Sequence, residues 1–197
     1  MGRSIVCLTG GMPSGGLSLT EFETALGLDR PLSQVATPPV LLADYTRVRL
    51  VAQGGQVQLE FKPNAGRDLI RRGAQEILRQ VRMHGVQAVG FNVAFRIDTD
   101  DDDDLFSAVI RTEVIAQRLG VTTFRPGVKA TYDSEHSVDT LSIDPDVADE
   151  EAWIGQMNRH HSRDPDQTAT NSAIAWLAAA SDEVEALLRR LLRPADD

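Results

Sequence analysis

Residues 45–62 read "YTRVRLVAQGGQVQLEFK", two runs of alternating apolar and polar residues on either side of Gly54-Gly55. A two-residue Gly-Gly loop is a favoured hairpin connection, because both turn positions need a positive φ. A turn there sets one pairing. Ala52 falls opposite Val57, Leu50 opposite Leu59 and Val48 opposite Phe61 on one face, with Arg49 opposite Glu60 and Val51 opposite Gln58 on the other. Apolar side chains meet apolar ones and opposite charges meet, which is what cross-strand neighbours prefer. A slip by one residue would put the apolar set on the wrong face. The only clash is Arg47 facing Lys62.

Working outward, residues 66–84 carry Leu69, Ile70, Gly73, Ala74, Ile77, Leu78 and Val81 at helical spacing, so an amphipathic helix is expected. In 86–98, Val89, Phe91, Val93, Phe95 and Ile97 alternate with Gly90, Asn92, Ala94, Arg96 and Asp98, the pattern of a strand with one covered face. Residues 103–119 read as a second amphipathic helix. The span 121–162 reads as a meander of strands. Its last segment, 152–162, is a strand rather than a helix because Gly155, Asn158 and two histidines are poor helix formers. A long helix over 168–193 closes the chain. At the other end, 3–9 is a short strand, "SLTEFETALGL" at 18–28 a helix with Gly27 near its stop, and 29–40, with three prolines, a connector.

These elements predict an α+β protein with an antiparallel or mixed sheet and amphipathic helices packed on it. Residues 1–197 are expected to form a single globular domain, with 1–40 an N-terminal appendage and connector. No stretch of sequence repeats another.

Composition narrows the function. A net charge of −9 opposes bulk binding to polyanions, so nucleic acid is disfavoured. The single cysteine, Cys7, excludes an intramolecular disulfide and a Cys-based zinc site. The absence of an apolar run of signal-peptide or membrane-span length predicts a cytoplasmic protein with no membrane contact.

Five features carry candidate chemistry, one of them the segment "MNRHHSRDPD", where His160 and His161 with Asp164 and Asp166 suggest a metal or acid–base site, although adjacent residues of a strand point to opposite faces. The stretch "GMPSGGLS", Gly11 to Ser18, follows a strand and precedes a helix like a phosphate loop, with Gly11, Gly15, Gly16 and Ser18 as anion-binding candidates. Leu17, however, stands where such a loop needs lysine. The run "DTDDDDD" from Asp98 to Asp104 offers oxygen ligands, with Asp98, Asp100 and Asp102, joined by His161, as metal candidates. The run lacks the spacing of a known cation loop, and carboxylates ahead of a helix also stabilise its positive end. The 66–84 helix presents Arg67, Arg71, Arg72, Arg79 and Arg82, a basic face that could meet phosphate or an acidic partner. The C-terminal helix carries Leu177, Val184, Leu188 and Leu191 close to a heptad spacing suited to a partner helix. No nucleophile–base pair, complete phosphate loop or metal spacing is present, and no cofactor is expected. The sequence therefore predicts a non-enzymatic binding or assembly protein whose partner is another protein, a second copy or an unfolded segment. The alternatives are a nucleotide- or metal-dependent enzyme using 10–18 and 98–104, and nucleic-acid binding through the arginine helix.

Overall fold

The structure is a computed structural model; it describes residues 3–10, 17–37, 39–82, 85–98, 112–121, 125–133, 137–149, 152–161 and 166–191, with 3, 4, 10, 98, 112, 113, 132 and 180–191 as backbone only. The elements are β1 (Arg3–Gly10), α1 (Leu19–Leu26), β2 (Ser33–Thr37), β3 (Val40–Asp44), β4 (Val48–Gln53), β5 (Gln56–Phe61), α2 (Arg67–Arg82), β6 (Val86–Asp98), α3 (Thr112–Leu119), β7 (Val128–Asp133), β8 (Val138–Pro145), β9 (Ala152–His161) and α4 (Gln167–Leu191). Among the described residues the nine strands make one sheet in the order β2-β3-β4-β5-β1-β6-β9-β8-β7. Every pairing in it is antiparallel. The fold is α+β, and the choice between antiparallel and mixed falls to antiparallel.

The hairpin has the expected register, with Val48 opposite Phe61, Leu50 opposite Leu59 and Ala52 opposite Val57. Gly54 and Gly55 have φ of 58° and 77°, as that turn requires. The Arg47–Lys62 clash is resolved by turning the ammonium away: Lys62 Nζ lies 2.8 Å from Asp44 Oδ1. The meander is present as β7, β8 and β9; of its expected first segment, Val121 is not strand and 122–124 lie outside the described residues. Arg125 to Gly127 are loop. There the Arg125 guanidinium stacks 4.5 Å over the Trp153 ring and donates to the backbone carbonyls of Asp146, Asp149 and Ala152, fastening the β8–β9 connection. The second amphipathic helix is described over Thr112–Leu119, and its expected beginning lies outside the described residues.

Two expectations for the first forty residues need correction. Arg3–Gly10, read as part of an appendage, is the middle strand of the sheet, paired with β5 on one side and β6 on the other. The connector 29–40 contains β2 and the start of β3, which extend the sheet beyond the hairpin. Prolines bracket β2 at Pro31 and Pro38 instead of interrupting it. That suits proline, which cannot donate within a ladder.

An architectural repeat also exists where the sequence shows none. The first half runs β1-α1-β3-β4-β5-α2, with β2 added at the edge, and the second runs β6-α3-β7-β8-β9-α4. The strand orders β3-β4-β5-β1 and β7-β8-β9-β6 are related by a local two-fold axis through the β1–β6 ladder. Registers follow suit. Val6 opposes Leu59 and Leu59 opposes Leu50; Phe91 opposes Arg159 and Arg159 opposes Asp139. The buried faces of the two helices also match. Gly73, Ala74, Ile77 and Leu78 of α2 correspond to Ala173, Ile174, Leu177 and Ala178 of α4.

The core lies between one sheet face and the layer of α1, α2 and α4. Val6, Leu59, Phe61, Phe91 and Val93 of the sheet and Phe22, Ile77, Ile174 and Leu177 of the helices are all at most 2% exposed. Two glycines make the fit. A Cβ on Gly73 would lie 2.7 Å from Phe61 Cε1, and one on Gly155 would lie 2.1 Å from the Phe95 ring across the ladder. Gly155→Ala should therefore destabilise the fold by about 1–3 kcal/mol, through overpacking. Valine at both 54 and 55 should cost roughly 2–4 kcal/mol, from the left-handed backbone imposed on branched residues. Urea denaturation of each variant checks both values, and a midpoint equal to that of the parent would overturn the corresponding packing argument.

Candidate functional site

The residues singled out from sequence divide into those the structure places and those it does not. Gly11, Gly15 and Gly16 lie outside the described residues, as do Asp100 and Asp102. Ser18 is the N-cap of α1, its Oγ accepting from the Glu21 N–H at 3.2 Å. Its own N–H donates to Gln80 Oε1 at 2.9 Å, while Gln80 Nε2 donates to Ser18 O and to Glu76 Oε1. A buried glutamine of α2 thus holds the backbone group that an anion at Ser18 would need.

The metal candidates Asp98 and His161 do not come together. They stand at opposite ends of the β6–β9 ladder, Asp98 opposite Ala152 and His161 opposite Val89. Nine residues of extended chain separate those ends, roughly 30 Å at about 3.4 Å per residue. His161 is buried on the helix-facing side, edge-on to Phe91 with ring centroids 6.0 Å apart. Among the described residues, no group of three His, Cys, Asp or Glu side chains gathers to hold a metal.

The arginine face of α2 is largely a set of helix-to-helix ties. Arg72 donates to the Ala25 carbonyl at the end of α1 and pairs with Asp68 at 3.0 Å. Arg79 bridges Glu76 and, at 2.7 Å, Glu21 of α1. Arg82 reaches α4 through Thr170 Oγ1 at 2.6 Å and Gln167 Oε1 at 3.3 Å. Arg67 and Arg71 are exposed on the same helix. The Arg79 guanidinium holds the Glu76 carboxyl below its ordinary value of 4.5, with the Gln80 amide adding to the effect against partial burial.

Leu177 of α4 is 1% exposed and belongs to the core. Val184, Leu188 and Leu191 lie on the same helix, in its stretch described as backbone only.

Two features were missed from sequence. The first is a polar pair at a core position. Arg159 and Asp139 occupy the places that Leu59 and Leu50 fill in the first half. The guanidinium takes both carboxylate oxygens, the closest contact being 2.7 Å, and lies 4.8 Å from the Trp176 ring centroid. Ser137 Oγ donates to the same carboxylate at 3.1 Å. The side chain of Asp139 is only 6% exposed, and these partners supply the hydrogen bonds that a buried carboxylate needs. Only the β8–β9 register, unknown from sequence, brings the two together.

The second feature is an edge. β2 closes one side of the sheet, and all five of its residues are exposed. An antiparallel edge strand turns every other N–H and C=O outward, ready to pair with another chain. Its residues, "SQVAT", carry no charge. Val35 is 48% exposed and Leu32, just before the strand, 71%. On the face away from the helices, Val35, Leu42 and Val51 are neighbours across β2, β3 and β4, extending the exposed Val35 into an apolar row. The opposite edge, β7, carries exposed Lys129 and Asp133, the kind of charge that discourages pairing.

No protein-family model matches the sequence, and no curated protein matches it. Among solved structures the chain is similar to the Mycobacterium tuberculosis type VII secretion system chaperone EspG5, solved in complex with a PE25–PPE41 dimer. The identity is 10% over 90% of this chain and 72% of that one, with a TM-score of 0.21. No helix among the described residues is long and apolar enough to cross a membrane.

Two outcomes follow for the buried polar groups. Because the Glu76 carboxyl is held low, its contribution to stability is whole above pH 4.5 and is lost as the pH falls through the lowered value. Glu76→Gln should lower stability at pH 7 by at most about 1 kcal/mol and flatten the acid limb of a stability–pH curve. An unchanged acid limb would contradict the assignment. Asp139→Ala should cost about 3–5 kcal/mol by stranding a partly buried guanidinium, whereas leucine at both 139 and 159 should be near neutral or stabilising. Thermal and urea unfolding of the two variants would expose a failure if the double change proved the worse.

Proposed function

We propose that this chain works by binding protein, taking an extended segment of polypeptide alongside β2 as an additional strand. The observation that carries the reading is the state of that edge, exposed along its whole length and free of charge. Strand addition draws affinity from main-chain hydrogen bonds and selectivity from alternate side chains. The row Val35–Leu42–Val51 gives an incoming strand's alternate residues an apolar surface to follow. The rigid sheet supplies the rest, since β2 hangs on β3 and β3 on the Gly54-Gly55 hairpin.

The rival readings draw less support. The Ser18 N–H is already engaged by Gln80. Asp98 and His161 are too far apart to share an ion. Three of the five candidate arginines are engaged with α1 or α4, and Arg72 and Arg79 already face the carboxylates of Asp68, Glu76 and Glu21.

The test is peptide display against the purified chain, followed by hydrogen exchange. Peptides enriched in alternating β-branched residues should slow exchange of the Ser33–Thr37 amides, and Val35→Lys should weaken their binding by at least about tenfold, a change of roughly 1.4 kcal/mol. If enriched peptides protect other amides and leave 33–37 unchanged, strand addition at β2 is wrong.

A further inference from the structure

We infer that a second copy of this chain occupies the β2 edge, pairing β2 with β2 about a two-fold axis at Val35. The inference rests on the strand-addition reading and names the occupant. Its basis is that "SQVAT" is complementary to itself when run antiparallel. Centred on Val35, the pairing sets Val35 against Val35 of the second copy. It also sets Ser33 against Thr37 and Gln34 against Ala36, each twice. β-Branched pairs and Ser–Thr pairs are favourable cross-strand neighbours, and no like charges meet. Every position of the strand is exposed and therefore accessible to the second copy.

The axis also joins the apolar rows. Val51, Leu42 and Val35 of one copy would continue into Val35, Leu42 and Val51 of the other, and two nine-stranded sheets would become one. Two-fold pairing closes on itself, so it yields dimers rather than fibres. The flanking residues set its length. Pro31 and the Pro38-Pro39 pair bracket the strand and limit the ladder to its five residues. Outward groups on alternate residues allow about four to six inter-chain hydrogen bonds.

Charge sets the conditions. Each copy carries −9, so two copies repel at a distance while the contact itself is neutral. Salt should therefore strengthen the dimer, the reverse of its effect on an ion-paired interface. A contact built on one short strand falls at the small end of interface sizes, below roughly 1,200 Å² in all, and such contacts are transient.

Sedimentation and light scattering on the full chain from roughly 10 to 500 µM test the inference, a range in which a small interface dissociates. The parent should pass from monomer towards dimer across that range, with a larger dimer fraction in high salt. Val35→Lys and Val35→Glu should each remain monomeric, because only this axis places residue 35 against its own copy. An equimolar mixture of the two variants should recover the dimer through Lys–Glu pairing. A dimer that persists in Val35→Lys, or a mixture that stays monomeric when the parent dimerises, would overturn the two-fold geometry. A parent that stays monomeric throughout would end the self-pairing inference. If display peptides still protected Ser33–Thr37 in that case, strand addition would stand with a foreign partner; if they did not, both readings would fall. Circular dichroism of the two variants confirms that an exposed substitution leaves the fold in place.

Discussion

Everything in this molecule hangs on one ladder, the antiparallel pairing of β1 with β6. Val6 and Phe91 face each other at its centre, both fully buried, and the local two-fold axis runs through that pair. β5 docks on the outer side of β1 and β9 on the outer side of β6, and the remaining strands are added from there. The helices obey the same constraint. α2 follows β5 and α4 follows β9, so joining the two half-sheets brings these helices side by side over the joint. There Arg82 of α2 reaches Thr170 and Gln167 of α4. Burial of the central apolar face makes the ladder stable, because sliding it by one residue would turn Val6, Phe91 and their neighbours out of the core.

The two halves share a register but differ in chemistry. In the first, β4 and β5 present only apolar residues to the helices, with Phe61 tucked against Gly73. In the second, His161 stands in the place of Phe61 and Ala173 in the place of Gly73, so a smaller ring accompanies a larger helix residue. One position along, an ion pair replaces two leucines. The second half also reaches further. β6 and β9 continue together as far as Asp98 and Ala152, past the last residue at which β1 pairs with β6. Arg125, Arg96 and Trp153 organise the loop at that end, Arg96 pairing with Asp146 and Asp149.

How much of this was legible in the sequence depended on how far each residue's partners lay along the chain. The hairpin at 45–62 was legible in full because its turn and both strands are contiguous, so that pairing could be checked residue against residue. The α2 face and the alternation of β6 were legible because each reports its own burial. β1 was recognisable as a strand but not as the central one, since its neighbours lie some fifty and ninety residues away. β2 was invisible for the opposite reason. Exposed on both faces, "SQVAT" has no cause to alternate, and its flanking prolines read as a connector. The arginine face shows the same limit: charges along a helix reveal that it is amphipathic, not which neighbouring helix will use them.

The ion pair in the second half bears on how the chain avoids assembling wrongly. Halves with matching registers invite exchange: β9 could lie against β4, or β5 against β8, with the backbone ladders equally satisfied. Apolar side chains alone would scarcely object. With the pair in place, β9 laid against β4 would set the Arg159 guanidinium opposite Leu50, and β5 laid against β8 would leave the Asp139 carboxylate facing Leu59. Each error strands a charge where water is scarce, a far larger penalty than any gain the correct ion pair brings over two leucines. Asp139 and Arg159 thus satisfy each other only in the observed order of strands, and either exchange would leave one of them facing a leucine.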